Sequence, residues 1–147
     1  GIFTEAEIFS RRDIMLENYI KTVNIEAVTM IDMARKEIIP AVAKFAADTA
    51  SAVAVKKSVS NAACKYETNL VTQLSELIDE MDESTSALEK AVAEFRTIEV
   101  IVDASEFIRD TVLPAMDTLR ASADKAETVT AESYWPFPAY DKLLFGV

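Results

Sequence analysis

The chain has 147 residues, half of them hydrophobic and 27% charged, the size and composition of one folded domain able to bury a useful core. Its 15 Lys+Arg stand against 25 Asp+Glu, a net charge of −10, which argues against a nucleic-acid surface and against docking on anionic lipid. There is no histidine, hence no imidazole base, no His–metal site and no Glu-x-x-His bundle signature, and between Gly1 and Gly146 no glycine for a phosphate loop or a tight hairpin.

The first helix is predicted to start at "FTEAEIF". Thr4 and Glu7 have the spacing of a capping box, with Phe3 and Ile8 placed for a hydrophobic staple. Leu16, Ile20, Val23, Ala27, Met30, Ala34, Ile38, Val42 and Phe45 then follow in steps of three and four, an apolar stripe along one helix face. Glu17 with Lys21, and Asp32 with Lys36, are i,i+4 pairs in the favourable orientation. Pro40 removes the bond to the carbonyl of Lys36 and should kink this helix without ending it. The helix is expected to reach about Ala54.

"VKKSVSNAA" is the first break: Lys56 and Lys57 suit a helix C-terminus, and Ser58 or Ser60 a following N-cap. The second helix carries Leu70, Leu74, Leu77, Met81, Leu88, Val92 and Phe95. Its stripe falters at "DESTS", where a kink or a solvent-facing gap in the packing is expected. The segment 96–104 reads as a fraying helix end or connector, with a box-like restart at Asp103 to Glu106. The third helix shows Phe107, Ile108, Val112, Ala115, Leu119 and Ala126, and Pro114 in "VLPAM" echoes Pro40 in "IIPAV". The fold class that follows is all-α: an antiparallel bundle of about three long, Pro-kinked helices over 1–130, with an extended aromatic C-terminal tail over 131–147. The first helix, about 75 Å long, overhangs the third, so part of its stripe needs another cover.

Cys64 is alone, so no intramolecular disulfide is possible; a structural thiol in a reducing compartment fits. No signal region opens the chain, and apolar runs such as "IIPAVAKFAA" are broken by lysine or proline short of a ~20-residue span. The expectation is a cytoplasmic chain without a membrane helix. Glu76, Asp79, Glu80, Asp82 and Glu83 are the one carboxylate cluster; a solvated face accounts for it better than a cation cage, and no metal ligand is assigned. No catalysis is expected of this chain alone.

The tail "ESYWPFPAYDKLLFGV" differs from everything before it. Pro136 and Pro138 favour an extended strap, anchored by Trp135, Phe137, Tyr140, Leu143, Leu144 and Phe145. The opening "GIFTEAEIFSRRDIMLENYIKTVNIEAVTMIDMARKEIIPA" resembles the segment following the catalytic domain of type III glutamine synthetases. The close, "VLPAMDTLRASADKAETVTAESYWPFPAYDKLLFGV", resembles the C-terminus of the same enzymes; Trp135, Pro136, Pro138, Tyr140, Leu143, Leu144 and Phe145 match its Trp-Pro-x-Pro-x-Tyr-x-x-Leu-Leu-Phe ending. The two segments cover about half the chain. The resemblance implies a helical C-terminal domain with a structural, assembly or regulatory role, excised from an enzyme that joins ammonia to glutamate using ATP and Mg²⁺ or Mn²⁺. It implies those cofactors for the parent's catalytic domain and none here, and it implies as partners that domain and neighbouring subunits of a homo-oligomer. The alternative from another class is a free-standing helical-bundle interaction or scaffold protein.

Overall fold

A computed structural model describes residues 4–138. They form three helical rods, with no strand among the described residues. The first rod comprises α1 (Glu5–Met33), a π-helical turn (Ala34–Ile38) and α2 (Ile39–Val59). The second is α3 (Lys65–Phe95). The third comprises α4 (Ile101–Phe107), a second π turn (Ile108–Val112) and α5 (Leu113–Val129). Cross-rod contacts fix the register: Lys56 meets Glu67, Arg35 meets Asp82 and Glu89, and Lys125 meets Glu80. Phe95 and Leu88 share a core with Ala104 and Ile108, and Leu74 and Met81 share one with Ala126, so the second rod runs antiparallel to both others.

The capping box at Thr4 and Glu7 is present, each side chain accepting from the other's amide at 3.2 Å. Its companion Phe3 lies outside the described residues, so the staple does too. Asp32 and Lys36 pair at 3.5 Å, whereas Glu17 and Lys21 flank an open groove beside α4. The first rod extends beyond Ala54 to Val59.

Each of the two helical prolines, Pro40 and Pro114, is accommodated by a π turn placed just before it. The amide of Ile39 donates to the carbonyl of Ala34, five residues back, and that of Leu113 to Ile108 in the same way. The wider turn absorbs the register change that a proline ring imposes when it clashes with the carbonyl four residues earlier. Pro40 and Pro114 then lie in the first turn of α2 and α5.

Three boundaries differ from the sequence reading. Ser60 closes the first rod, its hydroxyl donating to the Lys56 carbonyl at 2.8 Å, and α3 begins after Cys64. Cys64 is buried and takes a left-handed backbone (φ 51°), which a chain without internal glycine must impose on another residue. Asp103 lies inside the first turn of α4, which starts at Ile101; an acidic residue there suits the helix dipole without capping it. The expected kink or gap at "DESTS" is absent. Ser84 and Thr85 are buried within an uninterrupted α3, their hydroxyls donating to the carbonyls of Glu80 and Met81 at 2.7 Å. A back-bonded hydroxyl is a small, internally satisfied group, so the stripe passes through it.

The core has two parts. One joins Val23, Ala27, Leu88, Val92, Phe95, Ile108, Val112 and Leu119 at the α4 end. The other joins Ile38, Val42, Ala46, Leu74, Met81 and Ala126. The first rod is also, by length and composition alone, apolar enough to cross a membrane, contrary to the sequence expectation. Alanine supplies much of that apolarity, Lys44 and Asp48 interrupt it at exposed positions, and α3 packs along α2.

Candidate functional site

After Val129 the chain reverses. The Thr130 amide and hydroxyl both bond the Ala126 carbonyl, at 3.0 and 2.7 Å. The amides of Tyr134 and Trp135 then reach back to Ala131 at 2.9 and 3.2 Å, closing a turn. Trp135 and Phe137 each precede a proline, which disfavours helix and keeps the segment open. Both are half-buried and pack on the second core cluster, beside Phe45 and Leu70. Sequence reading missed Tyr134, whose hydroxyl donates to Asp48 Oδ2 at 2.7 Å and whose ring meets Phe45 at 4.9 Å and 43°. The hydrogen bond to Asp48 raises the phenol above its ordinary range. Strap and bundle are thus pinned by one polar contact and three rings. Tyr140, Leu143, Leu144 and Phe145 lie outside the described residues.

Beside the strap lies an open cavity of about 280 Å³, lined by Met30, Met33, Met81, Leu119, Phe137 and Pro138 among others, with Arg120, Asp124 and Glu127 at its polar margin. It lies beside the first π turn, whose Ala34 and Ile38 also line it.

The same turn carries Arg35, which sequence reading also missed. Its guanidinium donates to Glu89 at 2.9 Å, to Ser86 at 2.8 Å and to Asp82. Asp82, Ser86 and Glu89 sit at i, i+4 and i+7 of α3, and that polar line was the available signal. Hydrogen bonds to Glu89, then to Asp82, raise the guanidinium still further above an already high value. Two members of the acidic cluster are accounted for in this way: Asp82 faces Arg35, and Glu80 faces Lys125 at 3.3 Å. The described residues contain no group of three carboxylates or thiols that could hold a metal ion. What the arrangement offers chemically is adhesion: ring stacking, ion pairs and apolar surface.

Residues 1–57 match the family model described as the glutamine synthetase C-terminal domain. A glutamine synthetase of Butyrivibrio fibrisolvens aligns with the whole chain, at 33% identity over 148 residues. Residues 1–57 thus carry the signature of the glutamine synthetase C-terminal domain. A type-3 glutamine synthetase of Dictyostelium discoideum is 26% identical over 153 residues, 99% of this chain. A glutamine synthetase of Bacteroides fragilis is 26% identical over 151 residues, 98% of this chain. The chain spans about a fifth of the length of these relatives: 21%, 20% and 20%. The alignments cover 98–100% of this chain, including the segment between the two motifs where sequence reading found only helical character.

Proposed function

We propose that this chain is the non-catalytic helical C-terminal domain of a type III glutamine synthetase, and that its role is structural, in the assembly of that enzyme. The observation that carries the reading is the end-to-end alignment with glutamine synthetases of which it makes up about a fifth. The parent reaction joins ammonia to glutamate at the expense of ATP. The parent's nucleotide and its Mg²⁺ or Mn²⁺ belong to the catalytic portion outside this chain. Among the described residues no three carboxylates gather to hold a metal, and Glu80 and Asp82 pair with cations of the bundle itself. The domain contributes instead a rigid, cross-pinned rod whose exposed ends face its own catalytic portion and neighbouring subunits of a homo-oligomer in the cytoplasm.

The reading frame upstream of Gly1 and the behaviour of the encoded polypeptide test this. A glutamine synthetase catalytic sequence upstream, glutamine formation by the polypeptide, and loss of its oligomer when residues 1–147 are removed would all agree with the proposal. An unrelated upstream sequence would overturn the enzyme assignment. Unchanged assembly after removal would overturn the structural role.

A further inference from the structure

Large exposed apolar side chains gather at the two ends of the bundle. Val55, Val59 and Tyr66 lie where α2 gives way to α3. At the opposite end lie Ile8, Ile14, Met15, Tyr19 and Ile25 of α1, together with Val100 and Val102 at the start of α4. The connector before α4 meets α1 at the level of Glu17, Ile20 and Lys21, around a shared groove. The residues of α1 before Glu17 continue past that level, about 18 Å of helix at 1.5 Å per residue.

This projecting segment is not amphipathic in the way of a surface helix. Ile8, Met15 and Tyr19 share one line along it, at spacings of seven and four. Ile14 and Ile25 share a second line, eleven residues apart, and Leu16 and Ile20 a third, turned toward the bundle. The first two lines are open to solvent, with Met15 72% and Ile14 54% exposed. Charged residues from Glu5 to Asp13 separate these lines, yet exposed Ile and Met side chains on two of them form more apolar surface than a free helix needs, and among the described residues the bundle covers only the third.

We infer that the projecting start of α1, with Val100 and Val102, is a docking surface for the portion of the same polypeptide that precedes residue 1. This deepens the proposed function and rests on it. The occupant follows from the comparisons: about four-fifths of each relative's length lies outside this chain, and the matching family is a C-terminal domain, so that portion joins at the projecting tip. Joined there, it meets Ile8 and Met15 at the effective concentration of a short tether, in the millimolar range, which no separate partner matches at ordinary abundance. The Val59 and Tyr66 end, far along the rod, has no such tether.

The test uses the full polypeptide, with Met15→Cys and Tyr66→Cys made separately. Maleimide alkylation at each cysteine is followed peptide by peptide, in the native protein and in the same protein unfolded in urea. Both positions are similarly exposed in the domain, 72% and 75%, so they report the cover added by the rest of the polypeptide. Docking predicts that folding slows alkylation at position 15 by at least about tenfold and at position 66 by less than about threefold. Equal, fast alkylation at both positions would overturn it. Protection at position 15 that disappears when the oligomer is diluted to separate subunits would also overturn it, assigning the surface to a neighbouring subunit. These outcomes are independent of the enzyme assignment. An unprotected position 15 in a polypeptide that makes glutamine sinks the docking alone, whereas an upstream sequence unrelated to glutamine synthetase sinks the proposed function.

Discussion

The middle of the bundle and the projecting start of α1 are built from similar residues and end in opposite states. In the middle, Leu88, Ile108 and Leu74 are fully buried, and even Ser84 and Thr85 are sealed in with their hydroxyls bonded to the preceding turn. At the projecting end, Ile14 and Met15 face solvent. Propensity does not separate the two regions, because both are helical. The difference is whether a second and third rod run alongside, and that depends on where the connectors fall. The contrast teaches that a helical apolar stripe is buried only as far as neighbouring rods accompany it.

The largest expected effect sharpens this contrast. Leu88→Ala should cost about 2–5 kcal/mol in chemical denaturation, since the packed middle cannot collapse onto the void. Ile14→Ala should change the stability of the chain alone by no more than about 0.5 kcal/mol. Similar costs at the two sites would erase the distinction between them.

The strap comes next. Trp135 is half-buried on the Val42 and Leu74 cluster, so Trp135→Ala should cost about 2 kcal/mol, less than a fully enclosed aromatic. A melt indistinguishable from that of the parent chain would make the strap a passive end. Arg35 bridges the first π turn to α3 but is about a third exposed, so Arg35→Ala should cost about 1 kcal/mol, screened further by salt.

The smallest effects are read by titration. The hydrogen bond from Lys56 holds Glu67 below the ordinary carboxylate range. Its contribution is therefore complete above that range and lost as pH falls through the depressed value; Lys56→Met should erase the difference between melts at neutral and acid pH that this pair causes. Tyr134 is shifted the other way. Its contribution is complete below the ordinary phenol value of about 10 and lost as pH rises through the raised one. Asp48→Asn should return the phenolate absorbance titration of Tyr134 toward the ordinary value, and an unshifted curve in both proteins would remove the contact.

Much of the architecture was legible because periodicity is a local property. The steps from Leu16 to Phe45, the Thr4 capping box and the two prolines placed the rods and their bends. The π turns were not legible: a proline announces a lost hydrogen bond but not how the preceding turn widens to absorb it. "DESTS" misled because hydroxyl residues read as polar, whereas a serine bonded back to its own helix packs as a small side chain. Tyr134 and Arg35 escaped because their partners, Asp48 and Asp82 with Glu89, are distant in sequence. The shift of the α4 start from Asp103 to Ile101 has a local origin, since Val100 precedes the helix without a side-chain cap. The family, by contrast, was legible from the two ends of the chain, where the motifs lie.

The most direct test of the central claim, that α1 begins as a docking surface and becomes a core helix only beyond it, is the double substitution Ile14→Glu/Met15→Glu. Its thermal unfolding would be measured in the chain alone and in the full polypeptide. The account predicts a change within about 0.5 kcal/mol for the chain alone, and a clearly lowered transition in the full polypeptide, where two carboxylates would have to be buried. The same small change in both would contradict it.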